Sequence, residues 1–398
     1  MFKITDRVDY VGKIDWQLRT FHGEQLTTNR GSSYNSYLIK DKKNVLIDTV
    51  WDPFSKEFID NLEKAIGLKN IDYVIALHAE PDHSGALPYL MELIPDVPVY
   101  CTANGIKSLK GYYHKDWNFV PVKTGDVLDL GDSKITFVEA TMLHWPDQLM
   151  AYFDKDEILF SSDAFGQHFA TEFMYDDAKK IDMSELLFEA IKYYANIVAP
   201  YSSRVTQKLE EIKGFNLPVK IVAPSHGVMW RENPNLILEK YAKWADSYKE
   251  DQITIIYDTM YGSTRRMAEC IAEGIRAVTP ETTVKLFHFA TADNSDVITE
   301  AFRSKAILVG SPTYNSGILS SIAALLEELK GMRLSGKKAA AFGSYGWAPI
   351  STKVIAKMLS DANFELMDPD NVKASWNPTE EAIKECVEFG KKFAEFAK

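Results

Sequence analysis

The sequence predicts an α/β chain of two domains, first an α/β sandwich and then a doubly wound parallel sheet. Three observations lead there. The chain has 398 residues, more than one core ordinarily organises. Before about residue 250, short apolar runs bounded by turns dominate, and helical stretches fall between only some of them. From Gln252 onward, apolar strands and amphipathic helices alternate regularly.

In the first half the strand-like runs include YNSYLIK (Tyr34–Lys40), KNVLIDTV (Lys43–Val50), DYVIALH (Asp72–His78), KITFVEAT (Lys134–Thr141), MAYFDKDEILFSSD (Met150–Asp163) and VKIVAPSHG (Val219–Gly227). Helical patterns are expected over Ser55–Ile66 and Ser84–Leu93. The run Asn235–Ala245 is amphipathic, and the polar ADSYKEDQ that follows reads as a helix end and linker, dividing a domain over 1–249 from one over 252–398. In the second half QITIIYDT, TVKLFHF, KAILVGS, KKAAAFGS and FELMD are the strands, and the last helix spans Thr379–Ala397.

Composition narrows the function classes. The net charge of −11 argues against nonspecific nucleic-acid binding. Residues 252–398 hold 17 Lys+Arg against 18 Asp+Glu, so nearly all the excess negative charge belongs to the first half, where a cation site would be at home. No apolar run has the length of a membrane span, and MFKITDRVDY lacks the apolar core of a secretory leader. Cys101, Cys270 and Cys386 are far apart and include no CxxC pair, which fits reduced thiols in a cytoplasmic protein.

The chemistry-bearing residues fall in two sets. LHAEPDHSG places His78, Glu80, Asp82 and His83 within six residues at a strand end. His144, Asp163 and His226 each follow a later strand-like run. Any one of these imidazoles is more often structural than ligating, as we read His114 and His288, but the ordered set of seven points to a metal centre. In the second half three strands end in polar, Gly-containing loops. The first, Thr259, Met260, Tyr261, Gly262, Ser263 and Thr264, opens a helix and offers hydroxyls and N-terminal amides to a phosphate. The others, with Pro312, Thr313, Tyr314 and Asn315, and with Ser344, Tyr345, Gly346 and Trp347, supply aromatic side chains for a flat ring. A monophosphate carrying a large planar heterocycle describes FMN.

The second half resembles flavodoxin, with Tyr261 standing where that family has an inner threonine in its phosphate loop. The first half resembles the metallo-β-lactamase fold, an αββα sandwich whose motif is His-x-His-x-Asp-His followed by His, Asp and His. Here Glu80 replaces the second histidine, and a carboxylate at that position suits iron better than zinc. Together the halves resemble the flavodiiron protein family, in its two-domain class without a rubredoxin or flavin-reductase extension. That resemblance implies two non-haem irons, one held by His78, Glu80 and His144, the other by Asp82, His83 and His226, with Asp163 bridging. It implies FMN as a second cofactor, reduction of O2 to water or of NO to N2O, and a separate electron donor such as rubredoxin or a reduced deazaflavin. It also implies a head-to-tail homodimer or a dimer of dimers, with Trp347 either at that contact or packed inside. His22 and Tyr194 match family positions beside the substrate, and His168 is read as supporting rather than ligating. The alternative is a zinc hydrolase with an appended flavodoxin-like module.

Overall fold

A computed structural model describes residues 1–334, 336–367 and 372–398. The chain divides into two compact units, one of Met1–Tyr194 with Tyr201–Ala245, the other of Ala195–Pro200 with Asp246–Lys398.

The first unit is built on two sheets. One has seven strands, in the spatial order Phe2–Lys3, Val8–Tyr10, Tyr37–Ile39, Val45–Ile47, Tyr73–Ile75, Val99–Cys101 and Phe119–Pro121. The other has five: Val127–Asp129, Lys134–Glu139, Leu149–Phe153, Ile158–Phe160 and Ile221–Ala223. Alternate residues of a strand face opposite sides of a sheet. Tyr37, Ile39, Val45, Ile47 and Ile75 accordingly meet Phe137, Ala151, Phe153, Ile158 and Phe160 in one core. Their neighbours Leu38, Leu46 and Val74 face the other way, against Phe58 and Leu62 of one helix and Leu87 and Leu90 of another. Every one of these side chains is buried, so the sequence must be apolar at consecutive strand positions rather than alternating.

This topology positions the candidate metal residues. Val45–Ile47 and Tyr73–Ile75 run parallel, as do Ile158–Phe160 and Ile221–Ala223. Asp48 and His78 therefore leave the first sheet at the same end, and Asp163 and His226 leave the second sheet together. A backbone hydrogen bond from Leu149 N to Leu77 O, 2.8 Å, ties the two sheets just below His78.

One local expectation is corrected here. The helix expected to start at Ser84 starts at Pro81, runs to Ser84, breaks, and resumes over Leu87–Leu93. Proline is favoured in the first turn, where its missing N–H costs nothing. Asp82 and His83 thus sit on a helical turn, which aims consecutive side chains in different directions.

The second unit is a parallel sheet with the order Thr283–His288, Glu250–Tyr257, Ser304–Gly310 and Lys338–Tyr345. Its outermost position is shared by Glu365–Leu366 and Val372–Ser375, which pair with the beginning and the end of Lys338–Tyr345. The expected strand Phe364–Asp368 is represented by Glu365–Leu366, its final residue Asp368 lying outside the described residues. This is the doubly wound order of a flavodoxin-like domain, whose ligand crevice lies beyond the carboxyl ends of the strands. The loops Asp258–Gly262, Ser311–Gly317 and Gly346–Ile350 all emerge there.

Candidate metal centre and flavin cleft

Asp163 is 2 % exposed and organises the first site. Its Oδ2 lies 3.0 Å from His144 Nε2 and 3.7 Å from His78 Nε2. Its Oδ1 lies 3.0 Å from His83 Nε2 and 3.2 Å from His226 Nε2. The carboxylate thus faces two histidine pairs with different oxygens. Glu80 Oε2 joins the first pair, 3.2 Å from His78 Nε2 and 4.0 Å from His144 Nε2. Asp82 Oδ2 joins the second, 3.0 Å from His226 Nε2 and 3.6 Å from His83 Nε2. All seven residues expected from the sequence therefore converge on one pocket.

The packing of these groups fits metal ions. His226 Nε2 is buried within 3.2 Å of two carboxylate oxygens, yet it makes no well-directed hydrogen bond, and Asp82 Oδ1 is buried without a partner. Buried polar atoms left in this condition are rare and costly unless something else satisfies them. His78, His144 and Asp163 form one cluster with ligand atoms within 4.8 Å of one another, and Asp82, His83 and His226 form a second. Nitrogen and carboxylate donors in mixed sets are what iron accepts.

The far sides of three of the rings are also fixed. His78 Nδ1 lies 2.9 Å from Asp147 Oδ2, which also accepts from Ala79 N at 2.8 Å. His83 Nδ1 lies 3.1 Å from Asp48 Oδ2, and Asp48 Oδ1 accepts from Leu77 N at 2.7 Å. His226 Nδ1 faces the Ser33 carbonyl at 2.7 Å. These contacts set the tautomer that points each Nε2 inward. Asp48 holds its place with φ +54°, a left-handed backbone unusual for any residue but glycine, asparagine or aspartate.

Electrostatics reflect this crowding. Burial disfavours a charged imidazole, but Asp147, Glu80 and Asp163 outweigh it and raise His78 to about 10. His226 rises to about 9 against the same burial, through Asp163 and Asp82. Asp163 is held well below the usual carboxylate range, since the imidazoles of His83, His144 and His226 overcome its burial. His83 is raised in the same way against its burial, chiefly by Asp163 and Asp82, so the rings of His78, His83 and His226 occupy a field already negative enough for cations.

Around the pocket the sequence expectations divide. His22 lies where it was expected, Nε2 3.0 Å from Glu80 Oε1. Tyr194 does not. Its hydroxyl meets Ser202 Oγ at 2.9 Å and its ring packs against Tyr241 and Trp244. The hydroxyl that reaches the pocket is that of Tyr193, which donates to Asp163 Oδ1 at 3.0 Å. Consecutive helical side chains diverge by about 100°, so an error of one residue changes the face. His168 is supporting, with Nδ1 2.8 Å from Ser32 Oγ and its ring beside His226 and Tyr193. Gln148, unexpected from sequence, donates from Nε2 to Asp163 Oδ2 at 2.5 Å.

The second site is a cleft of about 640 Å³ at the strand ends of the flavodoxin-like unit. That is ample for a heterocyclic cofactor. Thr259, Met260, Tyr261 and Ser263 line it from the first loop, Pro312, Thr313, Tyr314 and Asn315 from the second, Ser344, Tyr345, Gly346 and Trp347 from the third. Gly262 and Thr264 stand behind this lining. Gly262 takes φ +89° and caps the helix Ser263–Val278, leaving the first-turn amides open. Thr264 is buried and bonds Ser344 Oγ at 2.9 Å, joining two loops. Tyr261 is 91 % and Trp347 92 % exposed, so Trp347 is no packing residue. Large rings held open beside a polar, amide-lined loop fit a flavin phosphate. Trp376 and Asn377 also line the cleft, from a segment the sequence did not single out.

Fold and sites together define a two-domain flavoprotein oxidoreductase with a dinuclear non-haem iron pocket on a β-lactamase-type sandwich. Residues 33–227 match the family model described as ODP family beta lactamase, and residues 255–390 the Flavodoxin model. An anaerobic nitric oxide reductase flavorubredoxin of Escherichia coli K12 is 50 % identical over 393 residues, covering 98 % of this chain and 81 % of that one. The rubredoxin oxygen:oxidoreductase of Desulfovibrio gigas superposes with a TM-score of 0.95 at 35 % identity, over 99 % of this chain and 98 % of the other. The flavodiiron protein of Giardia intestinalis gives 0.94 at 31 %, over 100 % and 96 %. The chain belongs to the flavodiiron proteins.

Proposed function

We propose that this protein reduces O2 to water, NO to N2O, or both, at a pair of irons supplied with electrons through FMN. The observation that carries the proposal is the divided carboxylate of Asp163, with one oxygen toward each histidine pair. The names of the relatives support the same chemistry over hydrolysis, since one is a nitric oxide reductase and another an oxygen oxidoreductase. In this proposal residues 1–249 form the metal domain and 252–398 the flavin domain.

His78, Glu80 and His144 would hold one iron, Asp82, His83 and His226 the other, with Asp163 between them. The irons and flavin supply one-electron steps that no side chain can. The chain's own residues orient and protonate. Asp147 and Asp48 hold the His78 and His83 rings in the tautomer that leaves Nε2 free. His22 holds a proton at Nε2 beside Glu80 Oε1, and Tyr193 one at its hydroxyl beside Asp163 Oδ1, both within reach of a small molecule entering the pocket. In the cleft, the amides after Gly262 and the hydroxyls of Thr259 and Ser263 would hold the phosphate, and Tyr314, Tyr345 and Trp347 would hold the ring.

Electrons come from a separate donor, rubredoxin or a reduced deazaflavin, and the working form is a head-to-tail homodimer or dimer of dimers in the cytoplasm. Among the described residues no helix is long and apolar enough to cross a membrane. The decisive test is anaerobic stopped-flow of the reduced protein mixed separately with O2 and NO. Rapid reoxidation by at least one supports the proposal. Stoichiometric zinc, with no gain in reoxidation after iron reconstitution, defeats it.

A further inference from the structure

We infer that Trp376 and Asn377 form a fourth wall of the flavin cleft, with Trp376 serving the ring end of the cofactor and Asn377 the phosphate end. This rests on the FMN reading of the cleft and assigns residues that the three loops at the strand ends do not include.

The observations are independent of one another. Trp376 lines the cleft and is 68 % exposed. An indole so exposed gains little from burial, so its place calls for another reason. Its backbone takes φ +52°, an outlier for a bulky side chain. A hydrogen bond from Trp376 N to Tyr345 O, 2.7 Å, holds it in that conformation. The indole lies over Gly346, where a Cβ would meet its ring atoms at 3.2 and 3.4 Å. The glycine between Tyr345 and Trp347 therefore leaves room for this ring. Strain maintained at a cleft by specific contacts points to a function there.

Asn377 reaches the opposite end. Its Oδ1 accepts at 3.0 Å from the Oγ of Ser263, the first residue of the helix that opens on the phosphate loop. A phosphate only accepts hydrogen bonds, so Ser263 must keep its own proton to contribute. With the Asn377 amide turned so that Nδ2 donates to Ser263, that proton is free for a phosphate oxygen. The carboxamide can do this and a carboxylate cannot. Strand Val372–Ser375, hydrogen-bonded to the end of Lys338–Tyr345, delivers both residues to the cleft mouth.

The test uses the full chain, stripped of flavin and titrated with FMN and separately with riboflavin, which lacks the phosphate. W376A should weaken both ligands by about tenfold, as loss of an aromatic contact does, and W376F should recover most of that. N377A should weaken FMN by roughly fivefold and leave riboflavin unchanged. N377D should weaken FMN by well over tenfold, again sparing riboflavin, because it fixes the Ser263 proton and adds charge. Unchanged FMN and riboflavin affinity in W376A, or in W376L should W376A not fold, overturns the role of Trp376. FMN bound by N377D as tightly as by the native chain, or a riboflavin loss equal to the FMN loss, overturns that of Asn377. A native chain that takes up no FMN at all overturns the flavin reading itself.

Discussion

The two sites are built in opposite ways. At the metal pocket every proposed ligand but Glu80 is buried, and His78, His83 and His226 each have the rear ring nitrogen fixed by a further group. At the flavin cleft several side chains expected to touch the cofactor stand in solvent, Met260, Tyr314 and above all Tyr261 and Trp347. A small ion gains from a cage fixed in advance, because its charge is satisfied only at a few short distances. A large flat ring gains from surfaces it can complete by covering them, so part of the cleft's burial is deferred until the ligand arrives. The metal pocket should therefore be intolerant of small changes, and the cleft graded in its response.

The largest effect expected is at Asp163. Replacing it with Asn should drop bound iron from two to below one per chain and cut reoxidation by O2 or NO by more than about a hundredfold. Metal analysis and stopped-flow measure both. An Asp163→Asn protein that keeps two irons would break the contrast. Glu80→His should come next, giving the His-x-His-x-Asp-His motif of the metallo-β-lactamase fold. It should raise zinc retained against iron in a competition at equal metal concentrations by roughly tenfold, read by elemental analysis after dialysis. Asp147→Asn should weaken iron at the position of His78 by roughly 10- to 100-fold while leaving the other position filled. Titration of the metal-free protein would then show two unequal affinities, and equal weakening of both would count against separate support. The smallest effects are at the tyrosine pair. Tyr193→Phe should slow turnover by several-fold with stability nearly unchanged. Tyr194→Phe should leave turnover alone and cost about 1 kcal/mol of stability. The reverse pattern would return the role to Tyr194.

Much of this contrast was legible in the sequence, and what was missed has a common cause. His78, Glu80, Asp82 and His83 are neighbours in the chain, and His144, Asp163 and His226 each end an apolar run, so local pattern was enough to find them. The three cleft loops were found the same way. Asp48, Asp147, Ser33 and Gln148 carry no such mark. Aspartate after a strand is ordinary turn chemistry, and only the pairing of Val45–Ile47 with Tyr73–Ile75 brings Asp48 to His83. Trp376 was hidden because the outermost strand is divided, and its second piece, Val372–Ser375, is too short to stand out. The exchange of Tyr194 for Tyr193 has a different origin. The helix Met183–Tyr193 passes directly into a π-helical turn over Tyr194–Val198, and an irregularity of that kind shifts the facing of adjacent residues in a way that composition does not announce.

Asp48 has a consequence for anyone who would engineer this protein. Its left-handed backbone suits asparagine at least as well, and an asparagine oxygen can still accept from Leu77 N, a bond that glycine would lose. A thermal-melt screen of metal-free protein would therefore reward Asp48→Asn. Yet that change removes the carboxylate that orients His83. Selection for robustness and selection for metal would pull this one residue in opposite directions, and a library sorted only on melting temperature would drift toward well-folded chains with an empty second iron position.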